Sequence, residues 1–148
     1  MKKILMIATG GTIASAEGGD GLTPAMTGEE LAASVPGIKD KCDLTVLQLM
    51  NIDSTNMRPY LWGLMRDAIT EHYNDYDGFV ILHGTDTMAY TAAALSYLIQ
   101  NSAKPIVLTG SQNQWATHIR MPRSIFTRVF SMHWTITPVM FLLYLMEK

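Results

Sequence analysis

Three short segments of this 148-residue sequence concentrate hydroxyl and carboxylate groups: T-G-G-T at residues 9–12, N-I-D-S-T at 51–55 and H-G-T-D-T at 83–87. Thr12 follows two glycines, which allow a ligand to approach closely and offer backbone N–H groups that could hold an oxyanion. A threonine hydroxyl in that position could act as a nucleophile if a neighbouring group takes its proton.

The other two segments could supply a second catalytic group and a binding site for a polar substrate. Thr85 and Asp86 place a hydroxyl beside a carboxylate. Asp53 and Ser54 could bind an amino acid, because a carboxylate pairs with an ammonium group and a hydroxyl donates to a carboxylate.

Each segment also has a purely structural interpretation. G-G-T could form only a tight turn with a helix cap, and T-D-T could cap a helix that begins at residue 88. Asp53 and Ser54 could cap the next helix, and His83 could be a buried histidine with satisfied hydrogen bonds rather than a catalyst.

The elements that would position these segments form an alternating pattern. Predicted strands cover residues 4–8, 44–49, 78–82 and 105–108; predicted helices cover 27–35, 58–73 and 88–100; the glycine-rich residues 15–24 are predicted to be a loop. Strands alternating with helices predict an α/β fold, a parallel sheet with helices on both faces. Ligands bind beyond the carboxyl ends of such strands. The three polar segments, and a fourth at 109–112 (T-G-S-Q), all fall there, which favours a functional site.

Composition and charge restrict the class of protein. Hydrophobic residues make up 48% of the chain, charged residues 16%, and the net charge is −2, which predicts a globular domain and gives no reason to expect nucleic acid or a membrane as partner. Cys42 is the single cysteine, and the histidines have no metal-ligand spacing. The apolar run at 4–8 is shorter than the apolar region of a signal peptide, so a cytoplasmic location is expected.

The motifs resemble those of the bacterial L-asparaginase family. T-G-G-T-I-A at 9–14 and H-G-T-D-T-M at 83–88 carry the resemblance, and M-N-I-D-S-T-N-M at 50–57 and P-I-V-L-T-G-S-Q at 105–112 are similar to its cytoplasmic, type I branch. The match covers residues 1–112 almost continuously. It implies hydrolysis of L-asparagine to L-aspartate and ammonia, without metal or cofactor, by a homodimer or homotetramer.

The resemblance also implies roles for individual residues. Thr12 would be the nucleophile that attacks the side-chain amide, and Thr85 and Asp86 would form a second catalytic group that a lysine further along the chain completes. Asp53 and Ser54 would bind the α-amino and α-carboxyl groups of the substrate. The other substrate-binding residues that it implies are Gly11, Thr55 and Gly84.

This sequence departs from the family pattern in two places. Residues 15–24 would be the lid over the substrate, but the family's lid tyrosine corresponds to Leu22 here. Residues 113–148 contain no glycine and no aspartate, whereas the preceding residues hold all eleven glycines. The family would continue instead with approximately P-M-G-D-A-x-T-D-A-K-x-N.

Loss of one base near codon 113 explains the change of composition. A codon of the intended frame then combines the third base of one residue with the first two of the next, and Met and Trp codons end in a fixed G. Six intended residues are therefore forced, and they are Gly, Ala, Ala, Asp, Val and Gly, which the family carries or accepts there. The pairs that force them are Trp115-Ala116, Met121-Pro122, Met132-His133, Trp134-Thr135, Met140-Phe141 and Met146-Glu147.

The sequence therefore predicts an incomplete asparaginase catalytic domain over 1–112 and a frameshift-derived tail, not a native domain, over 113–148. The family's lysine would fall beyond Lys148, so this polypeptide is expected to be inactive, and the oligomer surface could be lost as well. The apolar residues 138–146 are too few to span a bilayer and are expected to be exposed or to form a badly packed strand.

Three alternatives stay open at this point. The first is a glutamine-using amidotransferase subunit that supplies ammonia for tRNA-linked synthesis, although such subunits carry extra N-terminal sequence. The second is a non-catalytic fragment that binds an amino acid through Asp53 and Ser54 without turnover. The third is a chain that does not fold stably.

Overall fold

The computed structural model describes residues 1–10, 15–18, 21–24, 40–111 and 141–146. The helix predicted for residues 27–35 lies outside these ranges. The strands are β1 (Lys2–Gly10), β2 (Ser15–Gly18), β3 (Gly21–Pro24), β4 (Cys42–Ile52), β5 (Gly78–Leu82), β6 (Ile106–Ser111) and β7 (Phe141–Met146). The helices are α1 (Pro59–Glu71) and α2 (Met88–Leu98), with a 3-10 turn at Ser54–Asn56.

Five of the strands form one sheet in the order β4-β1-β5-β6-β7, and every neighbouring pair is parallel. The predicted α/β fold is therefore confirmed. β5 begins and ends where its apolar run does, and all five of its residues are buried, as expected of a strand covered on both faces. Other predicted strands and helices are present with boundaries shifted by a few residues.

The main core lies between the sheet and the two helices on one of its faces. Leu5 of β1 pairs with Phe79 of β5, which pairs with Ile106 of β6, so these side chains share a face. Met65 of α1 and Leu95 of α2 are fully buried in the same cluster. Neither described helix is long and apolar enough to cross a membrane.

The opposite face of the sheet is buried as well. Ile4, Met6, Val80 and Val107 alternate with the core residues along their strands, and each is at most 6% exposed. Burial of both faces explains why these strands read as continuous apolar runs rather than as an alternation.

The prediction of a loop over residues 15–24 is wrong for residues 15–18 and 21–24, which are strands. β2 and β3 pair as an antiparallel hairpin with Gly18 opposite Gly21. Two residues, Gly19 and Asp20, separate the paired strands in the sequence, and Gly-Asp is a pair that two-residue hairpin connections favour.

The tail contributes one strand to the sheet. β7 pairs in parallel with β6 along its whole length, from Ile106 opposite Phe141 to Ser111 opposite Met146. The sequence of this strand, F-L-L-Y-L-M, is rich in the apolar and aromatic residues that favour strands, and this holds in whichever reading frame it is encoded. Of the apolar segment 138–146, which the sequence predicts to be exposed or to form a badly packed strand, residues 141–146 thus form a strand of the sheet.

Candidate active site

The strand order places two of the polar segments on either side of a topological switch point. From β1 the chain moves to β4 on one side, and from β4 it returns past β1 to β5 and then to β6. In sheets with this order, ligands bind in the crevice at the carboxyl ends of the first strand and the neighbour on its other side. Those strands are β1 and β5 here; T-G-G-T begins with the last two residues of β1, and H-G-T-D-T follows β5 directly.

The end of β1 is fixed to its neighbours by two contacts. The Thr9 hydroxyl is buried and donates to the Leu82 carbonyl of β5 at 2.6 Å. Gly10 has φ +103°, and a Cβ at that position would lie 2.5 Å from the Ile52 carbonyl oxygen of β4. A glycine is therefore needed at this turn. Gly11 and Thr12 come next in the chain and lie outside the described residues.

A short turn after β4 holds Asp53. Its Oδ1 accepts from the backbone N–H of Thr55 at 2.8 Å and from the Thr55 hydroxyl at 2.9 Å. The side chain caps the 3-10 turn that begins at Ser54, which is itself only 3% exposed. Among the described residues only Oδ1 is used, so Oδ2 remains an acceptor for a cationic ligand. Thr55 thus orients the carboxylate that the sequence assigned to the substrate's ammonium group.

The loop after β5 carries the predicted pair, Thr85 and Asp86. Gly84 is buried, Thr85 is half-buried and Asp86 is exposed. The Thr85 carbonyl accepts from the Met88 N–H at 3.4 Å, in the turn that begins α2. The pair therefore lies where the buried strand meets solvent.

A buried hydrogen-bonded chain supports this loop from behind. The Trp62 indole N–H of α1 donates to the Thr91 hydroxyl of α2 at 2.9 Å, and Thr91 contacts His83 Nε2 at 2.9 Å. His83 Nδ1 contacts the Gly84 carbonyl at 2.7 Å. His83 and Thr91 are both fully buried, so the histidine is the satisfied buried residue that its structural interpretation predicted.

The partners of this chain fix the tautomer of His83. The Gly84 carbonyl can only accept, so Nδ1 carries a hydrogen. The Trp62 indole can only donate, so the Thr91 hydroxyl accepts from it and gives its own hydrogen to Nε2. Burial lowers the pKa of His83 below its ordinary 6.5, although the hydrogen bond to the Gly84 carbonyl acts in the opposite direction. His83 is therefore neutral and holds its proton on Nδ1.

This assignment predicts how stability depends on pH. Because the pKa of His83 is lower in the folded chain than in the unfolded one, its contribution to the free energy of unfolding is complete above pH 6.5 and is lost as the pH falls toward the folded pKa. ¹⁵N NMR of the imidazole should show the neutral Nδ1–H tautomer at pH 6.5. A protonated ring at that pH, or an Nε2–H tautomer, would contradict the assignment.

The two loops flanking the end of β1 are joined directly. The Thr87 hydroxyl donates to the Ser54 carbonyl at 2.9 Å, across 33 residues of sequence. Thr87 occupies the N-cap position of α2 but makes no side-chain cap hydrogen bond. The interpretation of T-D-T as a helix cap is therefore wrong for the Thr87 hydroxyl, because this hydroxyl donates its hydrogen bond to a carbonyl of another loop. The corresponding interpretation of Asp53 is wrong for α1, since Asp53 caps the preceding 3-10 turn.

The structure thus brings the turn of Asp53, Ser54 and Thr55 next to the loop of Gly84, Thr85 and Asp86. Three residues that support these loops, Thr9, Thr87 and Thr91, escaped the sequence-based assignment. Their hydrogen-bond partners lie on other elements of the fold, so no local pattern indicates them. In the described part of the chain, no three His, Cys, Asp or Glu side chains are grouped so that they could hold a metal ion.

The chain is similar in sequence to proteins of one known family. Residues 3–120 match the family described as Asparaginase, N-terminal. The chain belongs to the asparaginase family. Within that family it is 43% identical over 116 residues to L-asparaginase 1 of Escherichia coli K12, and 45% identical over 115 residues to a glutamyl-tRNA(Gln) amidotransferase subunit of Thermococcus kodakarensis. These alignments use 75% and 76% of the chain.

A solved asparaginase-family structure has the same fold. The probable cytoplasmic L-asparaginase of Campylobacter jejuni superposes with a TM-score of 0.74 at 32% identity, over 88% of this chain and 39% of that protein. The chain spans 34% of the E. coli L-asparaginase 1 and 26% of the amidotransferase subunit. It therefore corresponds to about a third of the curated L-asparaginase that it matches.

Proposed function

We propose that the crevice at the ends of β1, β4 and β5 is the substrate site of an L-asparaginase, which converts L-asparagine and water to L-aspartate and ammonia. The hydrogen bond from Thr87 to the Ser54 carbonyl is the observation that carries the proposal. It holds the turn of Asp53 against the loop of Thr85 and Asp86, beside the strand that ends in T-G-G-T.

Thr12 is the proposed nucleophile. Its oxygen bonds to the carbon of the side-chain amide while its proton leaves, and the amide nitrogen gains a proton and departs as ammonia. Water then hydrolyses the acyl ester, which releases L-aspartate and restores the hydroxyl. Thr85 and Asp86 form the second catalytic group, which holds and moves protons.

Substrate binding is assigned to the residues around these groups. Asp53, whose Oδ1 is oriented by Thr55, pairs with the α-ammonium group through its other oxygen. Ser54 is assigned to the α-carboxylate. The remaining proposed binding residues are Gly11, Thr55 and Gly84.

Residues 113–148 are proposed to be a translation product of a shifted reading frame, joined to the incomplete catalytic domain 1–112. The six forced codons support this proposal. We expect the 148-residue polypeptide to be inactive, because a shifted frame would no longer encode the lysine that completes the Thr85–Asp86 group in the family. Resequencing the DNA across codons 110–125 tests the frame, because an additional adenine near codon 113 would show that the shift is an error of sequence.

A second candidate function is supported by the similarity to a glutamyl-tRNA(Gln) amidotransferase protein. Such a protein would take the amide of glutamine, which has one more methylene group than asparagine. Asparagine is preferred here because M-N-I-D-S-T-N-M at 50–57 and P-I-V-L-T-G-S-Q at 105–112 resemble the type I branch of the L-asparaginases.

The cellular setting is proposed from the same resemblance. We expect a cytoplasmic protein, in agreement with the name of its Campylobacter jejuni relative, and a homodimer or homotetramer when the whole catalytic protein is present. L-Asparagine is the expected partner, with no nucleic acid and no membrane.

Calorimetric titration of the 148-residue polypeptide with L-aspartate, the reaction product, tests the binding site separately from catalysis. Asp53→Asn should weaken L-aspartate binding at least about tenfold, because a hydrogen bond between charged groups contributes about 1.5–3 kcal/mol. Asp67→Asn is the matched control, since Asp67 is an exposed carboxylate on α1 that pairs with Arg66. Tighter binding of L-glutamate than of L-aspartate would favour the amidotransferase, and binding that is unaffected by Asp53→Asn would contradict the proposed site.

A further inference from the structure

Thr87 has the residue type of a helix cap but uses its hydroxyl elsewhere. It precedes α2 with φ −117° and ψ 12°, and its side chain makes no cap hydrogen bond. The hydroxyl instead donates to the Ser54 carbonyl at 2.9 Å. A threonine at an N-cap normally stabilises its own helix through its hydroxyl. The use of this hydroxyl between two loops is therefore a feature of the site and not of the helix.

The Ser54 carbonyl is the point where the two loops meet. It also accepts from the Met57 N–H at 3.0 Å, which closes the 3-10 turn behind Asp53. Both lone pairs of this oxygen are thus used, one within the turn and one by Thr87. Because β1 lies between β4 and β5 in the sheet, the bond from Thr87 bridges the ends of the strands that flank β1.

The loop that carries Thr87 is itself held on its other side. The chain from Trp62 through Thr91 and His83 to the Gly84 carbonyl fixes it to α1 and α2. Thr87 therefore connects the Asp53 turn to a rigid support. Removing its hydroxyl frees the turn without removing any group that a substrate would touch.

We propose that Thr87 is a positioning residue that fixes the distance between Asp53 and the Thr85–Asp86 pair. This inference rests on the proposed function, since a small amino acid bound at its ammonium group by Asp53 and at its side chain by the pair needs both loops at a fixed separation. A site held in place before binding avoids the cost of ordering its loops when the ligand binds.

Amide hydrogen exchange and calorimetry on the 148-residue polypeptide test this role with three variants. Thr87→Val removes the donor at nearly constant shape, Thr87→Ser retains it, and Thr70→Val is the matched control. Thr70 lies on α1, where its hydroxyl donates to the Arg66 carbonyl at 2.8 Å. Thr87→Val should accelerate exchange of the Asn56 and Met57 amides and weaken L-aspartate binding, each by about three- to tenfold. Thr87→Ser and Thr70→Val should leave both within about twofold.

Each contrary outcome has a separate meaning. If Thr87→Val leaves the exchange rates of the Asn56 and Met57 amides unchanged, the positioning role is overturned, whether or not the affinity for L-aspartate changes. Failure of Thr87→Ser to restore the exchange rates, or equal acceleration in all strands, would overturn it in favour of a general structural role. If the unmodified polypeptide binds no L-aspartate, the proposed function fails, while the exchange rates still decide whether Thr87 couples the two loops.

Discussion

The 148-residue polypeptide is expected to release ammonia from L-asparagine at least about a hundredfold more slowly than the protein translated after one adenine is restored ahead of codon 113. The reason is chemical, because a positioned group that transfers protons contributes about 10²–10⁴-fold to a rate. The family resemblance assigns such a role to a lysine, and the proposed frameshift would remove that lysine from the encoded protein. The arginines of residues 113–148 cannot replace it, since arginine does not deprotonate in proteins.

The rates of ammonia release can be compared only if the 148-residue polypeptide and the frame-restored protein are both folded. The ¹⁵N signal of His83 should show the same tautomer in the two, because His83 follows β5 and its partners Trp62, Thr91 and Gly84 all lie before residue 113. Equal rates of ammonia release in two folded proteins would contradict the proposed effect of the shifted frame. Absence of activity from both would instead contradict the assignment as an L-asparaginase.

Gly110→Ala is expected to destabilise the chain by about 1–3 kcal/mol, the typical cost of adding a methyl group to a closely packed core. Gly110 is buried in β6, and an added Cβ would overlap the backbone carbonyl oxygen of His83 and lie 3.5 Å from Met88 Sδ. The carbonyl belongs to the backbone of the site loop, so the clash is relieved only if β6 and the loop separate.

Gly63→Ala is the matched control for this substitution. Gly63 lies inside α1, and an added Cβ there would meet no atom within 4 Å beyond its chain neighbours and the backbone of its own helix. Alanine at that position should stabilise the helix by up to about 1 kcal/mol, since glycine is the poorer helix former. Urea unfolding of both variants measures the difference. A Gly110→Ala protein as stable as the parent would show that β6 does not approach His83 as described.

The strands of this fold can be predicted from sequence because their signal is local. The five apolar residues of β5 define its bounds without reference to any other part of the chain, and both of its faces are buried. The hairpin of β2 and β3 gives no such signal, because four-residue strands with glycine at the turn have neither an apolar run nor an alternation.

The residues of the candidate site likewise differ in whether the local sequence indicates them. Asp53, Thr85 and Asp86 could be proposed as site residues because reactive residue types stand shortly after predicted strands. The role of Thr87 could not be predicted, since its type indicates a cap and its partner at Ser54 is fixed only by the tertiary fold. Likewise, nothing near His83 in the sequence indicates that Thr91 determines its tautomer.

Ammonia release by the frame-restored protein, compared with its Thr12→Ala and Thr12→Ser variants, tests the central claim most directly. If Thr12 is the nucleophile at the crevice between β1 and β5, Thr12→Ala should lower kcat for L-asparagine at least about a thousandfold, while Thr12→Ser retains part of the activity. Binding of L-aspartate should survive in both variants, because Asp53 and Ser54 are intact. Activity of Thr12→Ala within about tenfold of the parent would contradict the claim, since a nucleophile cannot be removed at so small a cost.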